Sequence, residues 1–124
     1  MLDMNSILIG SEDPKVLRDF YVQILGEPGF EDGGFTGWKA GSGWLMVGHH
    51  SDVKGRNREP GRLILNFETP DVKAEFARIK KLGATVIAEP YNPGVEDAGD
   101  MTLATFEDPD GNYFQLASPM PEPM

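Results

Sequence analysis

The chain has 124 residues, 40% of them hydrophobic and 25% charged, which predicts one soluble domain with a single core. Twenty acidic residues against eleven basic ones give a net charge of −9, which argues against nucleic acid and anionic membranes as partners, because both need clustered Lys and Arg. The absence of cysteine excludes disulfides and thiolate metal sites and, with an amino end that lacks the pattern of a secretory signal, favours a cytoplasmic protein.

The first half of the chain predicts a strand, a helix and two further strands. The helical stretch PKVLRDFYVQIL has one apolar face, begins after Asp13, which can cap it, and stops at Gly26. The turn Gly41-Ser42-Gly43 joins the two later strands. The segment EPGFEDGG is too rich in glycine and proline for its pattern to decide between strand and loop. These predicted elements span residues 5–10, 14–25, 35–40 and 44–49.

The second half repeats this order of elements and has one further strand. A helix at 72–82, with Thr69 and Pro70 as cap and first turn, has one apolar face and stops at Gly83. A Pro-Asp-Gly-Asn turn joins the last two strands. The predicted strands span residues 62–68, 85–90, 101–107 and 113–117.

Two such halves predict an α+β fold built from tandem βαβββ modules. Module one covers about residues 4–50 and module two about 62–119, with a polar linker at 51–61 and a tail at 120–124, all within a single domain. Each helix is expected to cover one face of its sheet from outside. The two curved mixed sheets are then expected to leave a concave cavity between them.

Alternation along the strands predicts which side chains face that cavity. In RLILNFE the odd positions are all apolar and are expected under the helix, so Asn66 and its even-numbered neighbours face the cavity. Trp38 and Trp44 flank the glycine turn and, with Phe35, offer a wall for a flat ligand, although sheet packing or a dimer contact would explain them equally well. The residues expected to bind a ligand are Ser6, Leu8, Trp38, Trp44, Met46, Ile64, Asn66 and Gln115.

Few residues favour catalysis. Glu68 and Glu107 are the acids nearest the predicted cavity, and either becomes a candidate general base if desolvation raises its pKa, while solvated strand ends are the simpler interpretation. His49 and His50 are adjacent, so a regular strand points them to opposite faces and they cannot chelate one ion together.

The motifs together resemble a known superfamily. The opening strand followed by DPKVLRDFYVQILG, the second helix DVKAEFARIKKLG, and above all DPDGNYFQL are similar to the glyoxalase, bleomycin-resistance and extradiol dioxygenase proteins, also called vicinal oxygen chelate proteins. The resemblance covers nearly the whole chain and implies the fold more strongly than any activity.

The resemblance also implies four metal-ligand positions on the concave sheet. They fall at Ser6, near Met46, at Ile64 and at Gln115, and none of these is a histidine or a carboxylate. Because a catalytic divalent ion needs about three imidazole or carboxylate ligands, we expect no family-type metal here.

The sequence leaves three hypotheses. The first is a metal-free, homodimeric binding protein that holds a small organic molecule, such as a sequestered antibiotic, in the concave sheet. The second is a lyase, isomerase or dioxygenase that uses an atypical divalent-metal set or metal-free acid-base chemistry by Glu68 or Glu107. The third is a structural or regulatory module whose cavity is filled by side chains.

Overall fold

The chain divides between Arg56 and Asn57 into two compact units. The computed structural model describes residues 1–94 and 101–119. The predicted tail at 120–124 lies outside the described residues, as do residues 95–100. Within the described part, no helix combines the length and the apolar character needed to cross a bilayer.

Both units contain one helix and four strands in the same order. The first unit consists of β1 (Ser6–Ser11), α1 (Pro14–Leu25), β2 (Phe30–Asp32), β3 (Phe35–Ala40) and β4 (Gly43–His49). The second unit consists of a short 3-10 turn (Pro60–Arg62), β5 (Leu65–Glu68), α2 (Val72–Lys81), β6 (Thr85–Tyr91), β7 (Leu103–Glu107) and β8 (Tyr113–Ala117).

Each unit forms one four-stranded mixed sheet. The strand orders are β1-β4-β3-β2 and β5-β8-β7-β6, so corresponding strands occupy corresponding places. The pairs β1/β4 and β5/β8 are parallel, and all other neighbouring strands are antiparallel. The predicted α+β class and the tandem βαβββ repeat are therefore confirmed. The single concave cavity stays a prediction.

Asp13 lies at the capping position of α1, but its side chain makes no capping hydrogen bond. Both helices are followed by a glycine in the left-handed region, Gly26 with φ 90° and Gly83 with φ 96°, which other residues adopt at a cost. The side chain of Asp71 caps α2 by accepting a hydrogen bond from the Ala74 amide at 3.0 Å. The predicted cap at Thr69 was wrong, because its hydroxyl accepts a bond from the Asp71 amide and supports the cap from outside.

The start of the second module differs from the sequence prediction. Residues 62–64 are not part of β5, because Pro60 opens a 3-10 turn in which Arg62 pairs with Glu59. Leu63 is 84% exposed and not under the helix as expected. Conversely, the ambiguous segment after α1 does contain a strand, β2, which pairs with β3.

Both sheets bury one face against their helix. In the second unit the Phe106 ring stacks between Phe76 and Phe114, with centroid distances of 5.1 and 5.4 Å. In the first unit Tyr21 of α1 lies 6.2 Å from the Trp38 ring. Each core covers a single sheet face, so the opposite face of each sheet is left without a helix.

The turn before β8 is held by its own side chains. The Asp108 carboxylate is 3% exposed and accepts hydrogen bonds from the amides of Asp110 and Asn112 at 2.9 and 3.0 Å. Asn57 fastens the linker to this turn by donating to the Asp110 carbonyl at 2.8 Å and to the Asn112 side chain at 3.0 Å. The turn thereby fixes the point at which β8 begins.

Replacing Phe106 by alanine should lower the free energy of unfolding by about 3–5 kcal/mol, because a fully buried ring and both its stacking contacts are lost. Urea denaturation followed by far-UV circular dichroism measures this loss. Val16→Ala is the control, since Val16 is 49% exposed on α1, and its effect should stay below about 1 kcal/mol. Equal losses in the two variants would contradict the assigned core.

Candidate functional site

The candidate site is built from the sheet faces that the helices leave open. In the first unit, strand register places the open-face residues in rows that cross the sheet. One row runs from Leu8 through Met46 and Gly37 to Phe30. The row on one side contains Ser6, Trp44 and Lys39, and the row on the other contains Gly10, Gly48, Phe35 and Asp32.

Glycines on this face make room for the large side chains beside them. A Cβ on Gly37 would lie 2.5 Å from the Met46 sulfur, and a Cβ on Gly48 would lie 2.2 Å from the Phe35 ring. Both side chains therefore lie flat across a glycine backbone, where any other residue would displace them. The result is an open apolar surface, here called the aromatic face, formed by Leu8, Phe30, Phe35, Trp44 and Met46.

The aromatic face is exposed to an unusual degree for its composition. Leu8 is 48% exposed, Phe30 43% and Phe35 37%, although all three belong to regular strands. Phe30, Trp44 and Met46 line a shallow depression of about 230 Å³. A contiguous apolar surface with a depression is typical of a binding surface.

The open face of the second unit carries a row of polar side chains. Asn66, Gln115 and Thr105 lie side by side in one row across β5, β8 and β7, here called the amide row. Neither amide side chain is hydrogen bonded within the residues that the structure describes. A primary amide both donates and accepts, so this row offers complementary bonds to a neutral polar ligand group.

Most of the residues predicted to bind a ligand lie on these two faces. Ser6, Leu8, Trp44 and Met46 share the open face of the first unit. In the second unit, Asn66 is exposed and Gln115 half-buried on the same face, and the half-buried Ile64 lies directly before β5.

Trp38 does not form part of the predicted aromatic wall. It is 2% exposed, packs against Tyr21 beneath α1 and donates a hydrogen bond from Nε1 to the Gly26 carbonyl at 2.9 Å. The strand residues on either side of it, Gly37 and Lys39, face the opposite way. Trp38 is therefore a core residue that also ties down the end of the helix.

The two candidate acids occupy different environments on the second sheet. Glu68 is exposed and lies two residues beyond Asn66 on the same side of β5. Glu107 is half-buried and pairs in register with Tyr113. Their assignment to acid-base chemistry stays a prediction.

Three open-face residues were missed by the sequence prediction. Phe30 lies in a three-residue strand whose Gly- and Pro-rich surroundings hide it, and its pairing with Gly37 is the only signal that reveals it. Thr105 lies in a correctly predicted strand, but its 5% exposure reflects packing that alternation does not reveal. Lys39 is placed on the open face by its register with Trp44, which the sequence does not give.

The side chains at the four family metal positions do not fit a divalent ion. They offer a hydroxyl, a thioether, a hydrocarbon and a neutral amide, at Ser6, Met46, Ile64 and Gln115. The described residues contain no group of three or more His, Cys, Asp or Glu that could hold a metal ion. His49 lies at the end of β4, while Nδ1 of His50 accepts a bond from the Asp52 amide at 3.1 Å.

A separate cleft of about 310 Å³ lies between α1 and the β2–β3 hairpin. Arg18, on its wall, donates hydrogen bonds to Glu31 and Asp19. The bond from Arg18 holds the pKa of the Glu31 carboxyl below its ordinary value of 4.5, and the same pairing raises the pKa of Arg18. Arg18 and Glu31 thus neutralise each other within this cleft.

Comparison with known proteins gives a consistent picture. The model of the glyoxalase-like domain family matches residues 6–117. A glyoxalase/bleomycin resistance protein/dioxygenase family enzyme from Burkholderia phytofirmans PsJN has a similar structure, with a TM-score of 0.74 at 20% identity over 96% of this chain and 100% of its own. A glyoxalase-related enzyme from Fulvimarina pelagi gives 0.76 at 18% identity, over 96% and 89% of the two chains.

Lactoylglutathione lyase from Agrobacterium tumefaciens is also similar, with a TM-score of 0.71 at 17% identity over 94% of this chain and 92% of its own. A search of curated proteins found no match. At these identities the structural likeness shows the fold, and the chemistry must be argued from the residues on the open faces.

The Glu31 ion pair predicts a pH effect on stability. Because the folded-state pKa of Glu31 is lowered, its contribution is present above about pH 4.5 and is lost as the pH falls through the folded-state value. Glu31→Gln should therefore make the unfolding free energy less dependent on pH below about 4.5, as measured by urea titrations at several pH values. Glu27→Gln, which removes an exposed charge outside this cleft, should leave the slope unchanged, and an identical response of the two variants would refute the assignment.

Proposed function

Because the chain belongs to the glyoxalase-like family, we propose that it binds a small organic molecule on its open sheet faces without a metal ion. The observation that carries this proposal is the aromatic face. Its exposed rings and the depression beside Trp44 present apolar area that a folded protein gains by covering. A flat apolar ligand covers such a surface at little cost in polar desolvation.

The amide row supplies the specificity of the proposed binding. Asn66 and Gln115 are unbonded within the described residues, so a ligand that approaches them exchanges bonds to water for bonds to the protein. Such bonds contribute modestly to affinity, but a ligand group that leaves a half-buried amide unpaired is penalised. The amides therefore select among ligands that the aromatic face would accept alike.

The side chains at the four family metal positions support binding without a metal ion. Binding of a divalent ion must compensate for the loss of its hydration shell, and neutral or apolar side chains do this poorly. Ser6 and Gln115 are the only oxygen donors among the four family positions. A ligand held by hydrogen bonds and apolar contact needs no such compensation.

The proposal includes binding without turnover, as in sequestration of an antibiotic-like compound. The names of the related structures refer to both bleomycin resistance and lyase activity, so kinship alone does not choose between them. The neutral and apolar side chains at the four family metal positions favour binding over metal-dependent turnover. A cytoplasmic homodimer completes the proposal. The exposed Ile7, which faces away from the aromatic face, suits a subunit contact.

Native mass spectrometry of freshly purified protein should show a carried-over organic molecule, two subunits and no stoichiometric divalent ion. For affinity, 2-naphthamide serves as a flat neutral probe in calorimetric titrations. Trp44→Ala should weaken its binding about tenfold, because the largest ring of the depression is removed, and Trp44→Phe should retain most of it. One metal equivalent that survives dialysis, or loss of probe binding on treatment with EDTA, would sink the proposal.

A second candidate is an acid-base enzyme, which the position of Glu68 favours. Its carboxylate lies on the open face two residues from Asn66, where it could reach a ligand bound to the amide row.

The two candidates respond differently to Glu68→Gln. A binding protein should keep its affinity for the carried-over molecule within about twofold, because an exposed carboxylate contributes little to binding. Mass spectrometry of that molecule after incubation should show no chemical change with either protein. Conversion by the wild type that is lost in Glu68→Gln but kept in Glu27→Gln would establish the enzyme instead.

A further inference from the structure

One cation stands out on the open face of the first unit. Among the eight strands that the structure describes, Lys39 is the single Lys or Arg. Five acidic residues occupy the same strands, so the strands are strongly acidic apart from this position. This lysine therefore lies next to an apolar surface, in a chain whose net charge is −9.

The position of Lys39 relative to the aromatic face is fixed by strand register. Lys39 pairs directly with Trp44 across β3 and β4, and Trp44 lines the depression. Side chains of directly opposed residues have Cβ atoms about 5 Å apart, so the lysine stem starts beside the indole ring. Its ammonium group is therefore within reach of a molecule that lies in the depression.

No carboxylate neutralises Lys39 within the described part of the chain. Ion pairs join strand acids to cations on the helices, as for Glu31 with Arg18 and for Glu89 with Lys80, and none of them includes Lys39. Asp32 is the nearest acid on the open face of this sheet, and it belongs to the row of Phe35. Phe35 and Lys39 are four residues apart on one strand, about 13 Å, which is too far for a direct pair.

We propose that the aromatic face takes an organic anion, a molecule with a flat apolar body and one carboxylate or similar group. The body lies in the depression formed by Phe30, Trp44 and Met46, and the anionic group binds the ammonium of Lys39. This inference rests on the proposed function and narrows it to a substrate class. The overall charge of −9 favours a cation only at long range, where salt screens it, whereas Lys39 acts at contact distance.

A matched pair of probes isolates the charge. At pH 7, 2-naphthoate is anionic and 2-naphthamide is neutral, while the two have nearly the same shape. Calorimetric titration of wild-type protein should give about three- to fivefold tighter binding of the naphthoate, the range expected for an exposed ion pair. Raising the ionic strength should reduce this preference, because the pair is open to solvent.

Variants assign the preference to a residue. Lys39→Gln should remove the preference for naphthoate over naphthamide, and Lys39→Arg should restore that preference. Lys73→Gln is the matched control, since Lys73 is exposed on α2 and its loss changes the net charge equally. An equal response to Lys39→Gln and Lys73→Gln would overturn the inference.

Failure of the inference can be told from failure of the proposed function. If both probes bind equally well and Trp44→Ala weakens both, the binding face stands and only the anion preference is wrong. If neither probe binds to wild type, both are wrong. If, in addition, sedimentation shows that Trp44→Ala turns a dimer into a monomer, the face is a contact between two copies of this chain.

Discussion

The structure depends on one constraint: each four-stranded sheet has a single helix to cover it, and side chains alternate between the two sheet faces. On the inner strands the helix covers alternate residues, such as Leu45 and Val47 of β4 and Phe114 and Leu116 of β8, and the residues between them face away from it. The same few residues that build the cores around Trp38 and Phe106 thus decide which side chains are available for binding. Folding and function are divided between odd and even positions of the same strands.

The two open faces use this division differently. In the first unit, Gly37 and Gly48 have no side chains, so Met46 and Phe35 lie across their backbone and widen an apolar surface. In the second unit, the equivalent face holds Asn66 and Gln115 in adjacent register. The two units therefore differ in the residues at the centre of their open faces, apolar in the first and polar in the second, although their strand order is the same. Differences at a few alternate positions suffice for this.

Much of the fold could be predicted because it is encoded locally. The helices at 14–25 and 72–81 follow from one apolar face bounded by a capping position and a glycine, and the last strand at 113–117 follows from alternation after a turn. The errors lie where tertiary contacts decide. β2 exists because β3 offers it hydrogen-bonding partners, as in the bond from the Gly29 amide to the Gly37 carbonyl at 2.9 Å.

The site was harder to predict than the fold, for a related reason. In FTGWKA the residues on the core side include Thr36, and those on the open side include a glycine and a lysine, so hydrophobicity does not choose a face. Trp38 was assigned to the aromatic wall because it flanks the glycine turn, whereas the structure buries it beneath α1. Burial of the indole ring and its bond to Gly26 are properties of the assembled unit, which the pattern of a six-residue strand does not contain.

The four family metal positions and Lys39 both bear on the positive charge that a ligand would meet on the open faces. A bound divalent ion would present positive charge to a ligand, but the side chains at 6, 46, 64 and 115 do not supply the negative or imidazole donors that would retain it. Lys39 carries a positive charge that needs no donors, because it is covalently attached and remains solvated. Lys39 lies in the same row across the sheet as Trp44 and Ser6, and Ser6 is one of the four family metal positions. An anion bound in this row is attracted by a single screened charge, so its affinity has to come mainly from the apolar area it covers, with the lysine fixing its orientation.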